Sequence, residues 1–166
     1  MKLNSKIKSI CAREIISIRG HPGIETTVVT EDGSSGIGIV QAGISVGEHE
    51  VFFVHDGGKR YNGLGLRKAV EIVNNIITPK LVGFDITDQN TIDDTMIRLD
   101  GTPMKTRLGG NSTASVSAAC LKAAANFLQI PLYQHIGGVF ARILPVPGVI
   151  GYVGGTRYGE IGRAHV

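Results

Sequence analysis

The stretch QAGISVGEHEV, Gln41 to Val51, gathers two glycines, a serine, two carboxylates and a histidine directly after a run that reads as a β-strand. Such a composition suits a loop that holds an ion or a phosphate, and equally a flexible connection. Gly43 and Gly47 are its two points of backbone freedom. His49 and His55 stand six positions apart with carboxylates between them, and metal ligation would need a third partner that the spacing does not supply. Two glycine-rich segments invite comparison with phosphate-binding motifs and fail it. GLGLRK lacks the third glycine of a dinucleotide fingerprint, and GGKRYNG lacks the Ser or Thr that a P-loop places after its lysine. Both read as turns. Asn111 opens an NST glycosylation triplet, which has no consequence in a chain that shows no signal peptide.

The elements that would position these residues are legible in the pattern. From about Lys6 to Val40 the chain is rich in β-branched residues, and TEDGSS sets Asp32 and Gly33 between two such runs, the signature of a hairpin. The period then changes. Leu66, Ala69, Val70, Val73, Ile76 and Ile77 recur at three and four, predicting a helix with one buried stripe that Pro79 ends. Ile92, Met96 and Leu99 repeat the pattern more briefly. Ser112 to Leu128 predicts a long alanine-rich helix with Val116, Cys120, Ala123, Ala124 and Phe127 on one face, small enough for a neighbour to come close. Strands first and helices afterwards predict an α+β domain.

Composition excludes several functions. The chain has 166 residues, 42% hydrophobic and 19% charged, enough for one domain with a core. Its 23 glycines are about twice the usual share of roughly 7%, which implies many tight turns. A net charge of +3, with no basic stripe carrying interleaved aromatics, argues against nucleic acid as a partner. No apolar run reaches the roughly 18 residues of a membrane span, and the N-terminus has no apolar core of signal length, so no membrane partner and a cytoplasmic location are expected. Cys11 and Cys120 match no metal spacing and are expected to be buried, reduced thiols.

Several segments, taken in order, go further. AREIISIRGHPGIE, RYNGLGLRKAV, DITDQNTIDDTMIRLDGTPMKTRLGGN, ASVSAACLKAAANFLQIPLYQHIGG and ILPVP run collinearly from about Ala12 to Pro147. Together they resemble the N-terminal domain of enolase, phosphopyruvate hydratase. The resemblance implies a three-stranded antiparallel meander followed by a helical layer over residues 1–140, with the start of a βα-barrel at 141–159. It implies dehydration of 2-phosphoglycerate to phosphoenolpyruvate with Mg²⁺, and a homodimer for the complete protein. The family's S-G-A-S-T-G loop falls on AGISVG, which makes Ser45 the metal-contacting serine and Gly43 and Gly47 the glycines of a lid. Arg157 falls where the family has an active-site histidine, which implies a substrate-binding arginine. The base, the acid and the carboxylate metal ligands are assigned by the resemblance to the barrel, and no confident catalytic residue is present here. The departures gather near the site: Ala42 replaces a serine, Val46 a threonine, His21 an asparagine, and Gly110 an alanine. Such a pattern leaves open a divergent paralogue that binds a phosphorylated acid or a protein partner without this reaction. The last seven residues, EIGRAHV at 160–166, match nothing in the family and are what translation of a sequencing adapter gives, so a non-native tail is expected there.

Overall fold

The computed structural model of the chain describes residues 4–18, 20–43 and 46–148. Strands β1 (Ile7–Ile16), β2 (Pro22–Thr30) and β3 (Ser35–Gln41) form an antiparallel sheet in the order β1-β2-β3. The helices follow, and the architecture is the expected α+β meander with a helical layer. The β2–β3 turn falls at Asp32 and Gly33, whose φ of 94° is the positive value expected there. Asp32 closes the turn by accepting hydrogen bonds from the Thr30 hydroxyl and from Ser34 N.

Two cross-strand rows on the covered face of the sheet both end on glycine in β3. Ile10 lies opposite Val28, which lies opposite Gly36; Ala12 lies opposite Thr26, which lies opposite Gly38. Helix α4 (Gly110–Phe127) rests on the glycine end of these rows. A Cβ on Gly36 would collide with the main chain of Ala119 and Ala123, and one on Gly38 with that of Ser115. The helix backbone therefore sits directly on β3. Val116, Cys120, Ala123 and Ala124 are fully buried beneath it, as their spacing predicts. A buried hydroxyl pair, Thr26 and Ser115 at 2.8 Å, satisfies the two polar groups this contact encloses.

The helix predicted around Val73 departs from expectation at two points. Pro79 does not end it. The chain runs from α1 (Arg67–Glu71) through a π-turn (Ile72–Ile77) into α2 (Thr78–Leu81), with Pro79 in the first turn of α2. A first-turn position needs no N–H, and the wider π-turn leaves room for the ring. The Thr78 hydroxyl donates instead to Val73 O at 2.8 Å. Ile76 is also not in the stripe but 44% exposed, and Leu81 takes its place. Steps of four from Ala69 through Val73 and Ile77 to Leu81 would drift by about 40° each in a regular helix; the π-turn rotates them back into line. From the same turn, Asn74 bonds both main-chain groups of Ala12, at 2.8 and 3.1 Å, and covers the free edge of β1.

Helix α3 (Gln89–Asp100) buries Ile92 and Met96 and ends at Gly101, φ 68°. A short α5 (Leu132–Gly137) follows α4. Residues 141–148, the described part of the expected barrel start, have no regular structure, and Ile143, Leu144 and Val146 are more than 90% exposed. A strand needs a neighbour to take its ladder hydrogen bonds, and none lies beside this segment among the described residues. Cys120 is buried as expected, but Cys11 is exposed, because alternation along β1 turns it to the open face of the sheet. No described helix is long and apolar enough to cross a membrane.

Candidate functional site

The Gln41–Val51 loop leaves the sheet at the end of β3, where Gln41 is still paired with Gly23, and returns to the body at Val54. Both ends are fixed by groups outside the loop. Asn111, fully buried near the start of α4, accepts from Val54 N at 3.1 Å and donates to Val54 O at 3.0 Å. Phe52 N donates to Met104 O at 2.8 Å, and Gly110 N to Phe52 O at 2.7 Å. With its carboxamide fully used and enclosed, Asn111 is a structural pin, which disposes of the glycosylation triplet in the folded chain. Gly110, the replacement for alanine, is explained here: a Cβ would run into the Val51 side chain.

Within the loop, Gly47 and Glu50 bond one another. Gly47 N donates to Glu50 Oε2 at 2.9 Å and Glu50 N to Gly47 O at 3.1 Å. Val46 is 78% exposed. A Cβ on Gly47 would meet nothing within 4 Å and its φ is ordinary, so this conformation does not require glycine there. Gly43 stands at the foot of the loop, facing a cavity. Ser45 and Arg157 lie outside the described residues.

Below the loop a carboxylate network ties β1 to the start of α1. Glu14 forms a two-pronged ion pair with Arg60 and accepts from Leu66 N at 2.6 Å. The Arg60 hydrogen bond outweighs burial and holds the Glu14 carboxyl below the usual range. Asp56 accepts from Arg67 N and Lys68 N, capping α1 with a negative charge at its positive end. A Cβ on Gly65 would meet the Asp56 carboxylate and the Arg60 guanidinium, and either would have to shift from its present bonds. Arg60 in turn lies over the Tyr61 ring, 4.4 Å from its centre. Tyr61 and Asn62 both hold left-handed backbone, φ 50° and 54°, a strain on the order of 1–3 kcal/mol each that persists only where surroundings enforce it.

That enforced turn forms one wall of the cavity at the loop's foot. About 250 Å³ in volume, it is lined by His21 and Pro22, Ala42 and Gly43, and His55, Asn62 and Leu64. His55 stacks near Phe53, ring centres 4.9 Å apart, and its Nδ1 lies 3.4 Å from Leu64 O. Sequence spacing suggests His49 as the partner of His55; the fold sets His21 there instead. Neither that pairing nor the Glu14–Arg60 contact leaves a local signal, since each joins residues more than thirty positions apart.

Among the described residues no three His, Cys, Asp or Glu side chains are grouped so as to hold a metal ion. What the region supplies is a loop with rigid anchors, a largely apolar cavity at its foot into which two imidazoles and a carboxamide reach, and a braced turn. A family model described as enolase, N-terminal domain, matches residues 7–136, most of the chain and all three strands, and the chain therefore belongs to the enolase family through that domain.

Proposed function

We propose that this chain is the N-terminal part of an enolase-like lyase that dehydrates 2-phosphoglycerate to phosphoenolpyruvate, and that the Gln41–Val51 loop is its lid. The observation that carries the reading is the family match over residues 7–136. In this proposal Gly43 and Gly47 are the hinges, which gives Gly47 a reason that the present conformation alone does not. The pinned ends at Gln41 and Val54 let the loop move without disturbing the sheet. Closure would exclude water from the reacting centre.

The described residues do not fit a self-contained Mg²⁺ site. Ser45 is proposed to lend one hard oxygen to an ion whose other ligands come from the barrel, together with the base and the acid. Arg157 is proposed to hold a substrate phosphate or carboxylate through its two-pronged guanidinium. The exposed apolar side chains from Val139 to Val146 support a following domain packed against them. A homodimer and a cytoplasmic location belong to the same proposal. A second reading, a paralogue that binds a phosphorylated acid without this reaction, is favoured by one observation: Ala42, Val46 and His21 all depart from the family at the loop and its foot.

The purified chain with excess Mg²⁺ is expected to show no turnover in a coupled 2-phosphoglycerate assay, because the groups that acidify and remove the α-proton are not in it. Turnover above a blank, persisting after removal of host enolase, would contradict the division of labour proposed here.

A further inference from the structure

We propose that the cavity at the foot of the loop is a binding site for a small oxyanion, a carboxylate or phosphate group. The argument goes beyond the dehydratase reading and does not depend on it.

Every polar side chain in the lining can donate a hydrogen bond: the imidazoles of His21 and His55 and the carboxamide of Asn62. Among the described residues no carboxylate lines the cavity. The nearest acids, Glu14 and Asp56, are directed elsewhere, Glu14 to Arg60 and Leu66 N, Asp56 to the first amides of α1. With Nδ1 of His55 donating to Leu64 O, its Nε2 donates to a ligand as the imidazolium, the form that a bound anion favours. Pro22, Ala42 and Leu64 supply apolar walls that strengthen any polar contact made inside. At about 250 Å³ the space is below the range of drug-sized pockets, which limits the occupant to a few heavy atoms.

The backbone points the same way. Asn62 reaches the cavity from a strained left-handed turn, and that turn is braced by the Glu14–Arg60 pair and by Arg60 over Tyr61. Glycine would fit the turn with less strain. Asparagine is among the few side chains that tolerate this backbone, and here it brings a carboxamide to the cavity wall.

The test is a titration of the full chain with inorganic phosphate and, separately, with malonate, following the imidazole C–H resonances by NMR. His49 and His135 do not line the cavity and serve as internal controls. The expected result is saturable shifts at His21 and His55 with both controls unmoved. Tighter binding of phosphate or of malonate then distinguishes the tetrahedral from the planar anion. His55→Leu and His21→Leu should each weaken binding at least about tenfold, the scale of a lost hydrogen bond to a charged group. Asn62→Gly guards against misfolding as an explanation: it should keep or raise the melting temperature while weakening the anion. Shifts that fail to saturate, shifts shared equally by His49 and His135, or an Asn62→Gly protein that binds like the parent would each overturn the proposal.

Discussion

Asp100 is fully buried at the end of α3 with no cation among the described residues bonded to its side chain, and four donors explain how it stays ionised. Burial is the largest influence and pushes its pKa up, but hydrogen bonds from the Thr102 hydroxyl and the Leu108, Thr102 and Arg107 amides together outweigh it, and the net shift is downward. A carboxyl whose folded-state pKa is lowered stabilises the fold above its unfolded pKa and loses that contribution as pH falls through the folded value. Asp100→Asn should therefore cost about 1.5–3 kcal/mol at neutral pH, the scale of hydrogen bonds to a charge, and should flatten the loss of stability below about pH 4. Urea denaturation at several pH values measures both. The two cysteines make the complementary point. Burial pushes the Cys120 thiol up to about 12, whereas Cys11 lies on the open face of β1. Iodoacetamide at neutral pH should label Cys11 in the native chain and Cys120 only after denaturation; equal labelling would contradict the packing of α4. Reading both cysteines as buried from their small and apolar neighbours fails for Cys11, because neighbours in sequence do not say which face of a sheet is covered. Strand alternation relative to Ile10 and Ala12 carries that information.

At the scale of elements, the sheet and α4 depend on one another through what is missing from β3. The small face of α4 is visible in its spacing, and so is the hairpin that brings β3 alongside β2. Their match is not, because the contact of Gly36 and Gly38 with Ser115 and Ala119 joins segments that no local pattern relates. Gly38→Ala should destabilise the chain by about 1–3 kcal/mol, the usual cost of overpacking, while Gly47→Ala, open on all sides, should be near neutral. Thermal melts of the two variants check the contrast; equal effects would mean that α4 does not rest on the β3 backbone. The π-turn was equally illegible. Its wide turn is identified by tertiary partners, Asn74 on Ala12 and Thr78 on Ile10 and Val73, and a proline in a helical pattern reads as a stop when those partners are unseen.

For the whole molecule, fold and family were the most legible features, because many collinear segments carry the same message and each strand and long helix has a local period. The site was less so. Of its expected residues, Gly43 and Gly47 are placed at the foot and in the middle of an anchored loop, while Ser45 and Arg157 lie outside the described residues. The groups that anchor the loop and brace the turn beside its foot, Asn111 for the one and Glu14 and Arg60 for the other, act across the fold and are typical in composition of any surface or helix start.

The central proposal is that this domain lends a working lid, with Ser45 in its sequence, to an enolase active site. It is tested most directly by a chimera in which residues 7–136 replace the matching domain of an active enolase. The account predicts Mg²⁺-dependent turnover of 2-phosphoglycerate that falls at least about tenfold on Ser45→Ala, or about 1.4 kcal/mol of transition-state stabilisation. A folded chimera without turnover, or one whose turnover ignores Ser45, would contradict it.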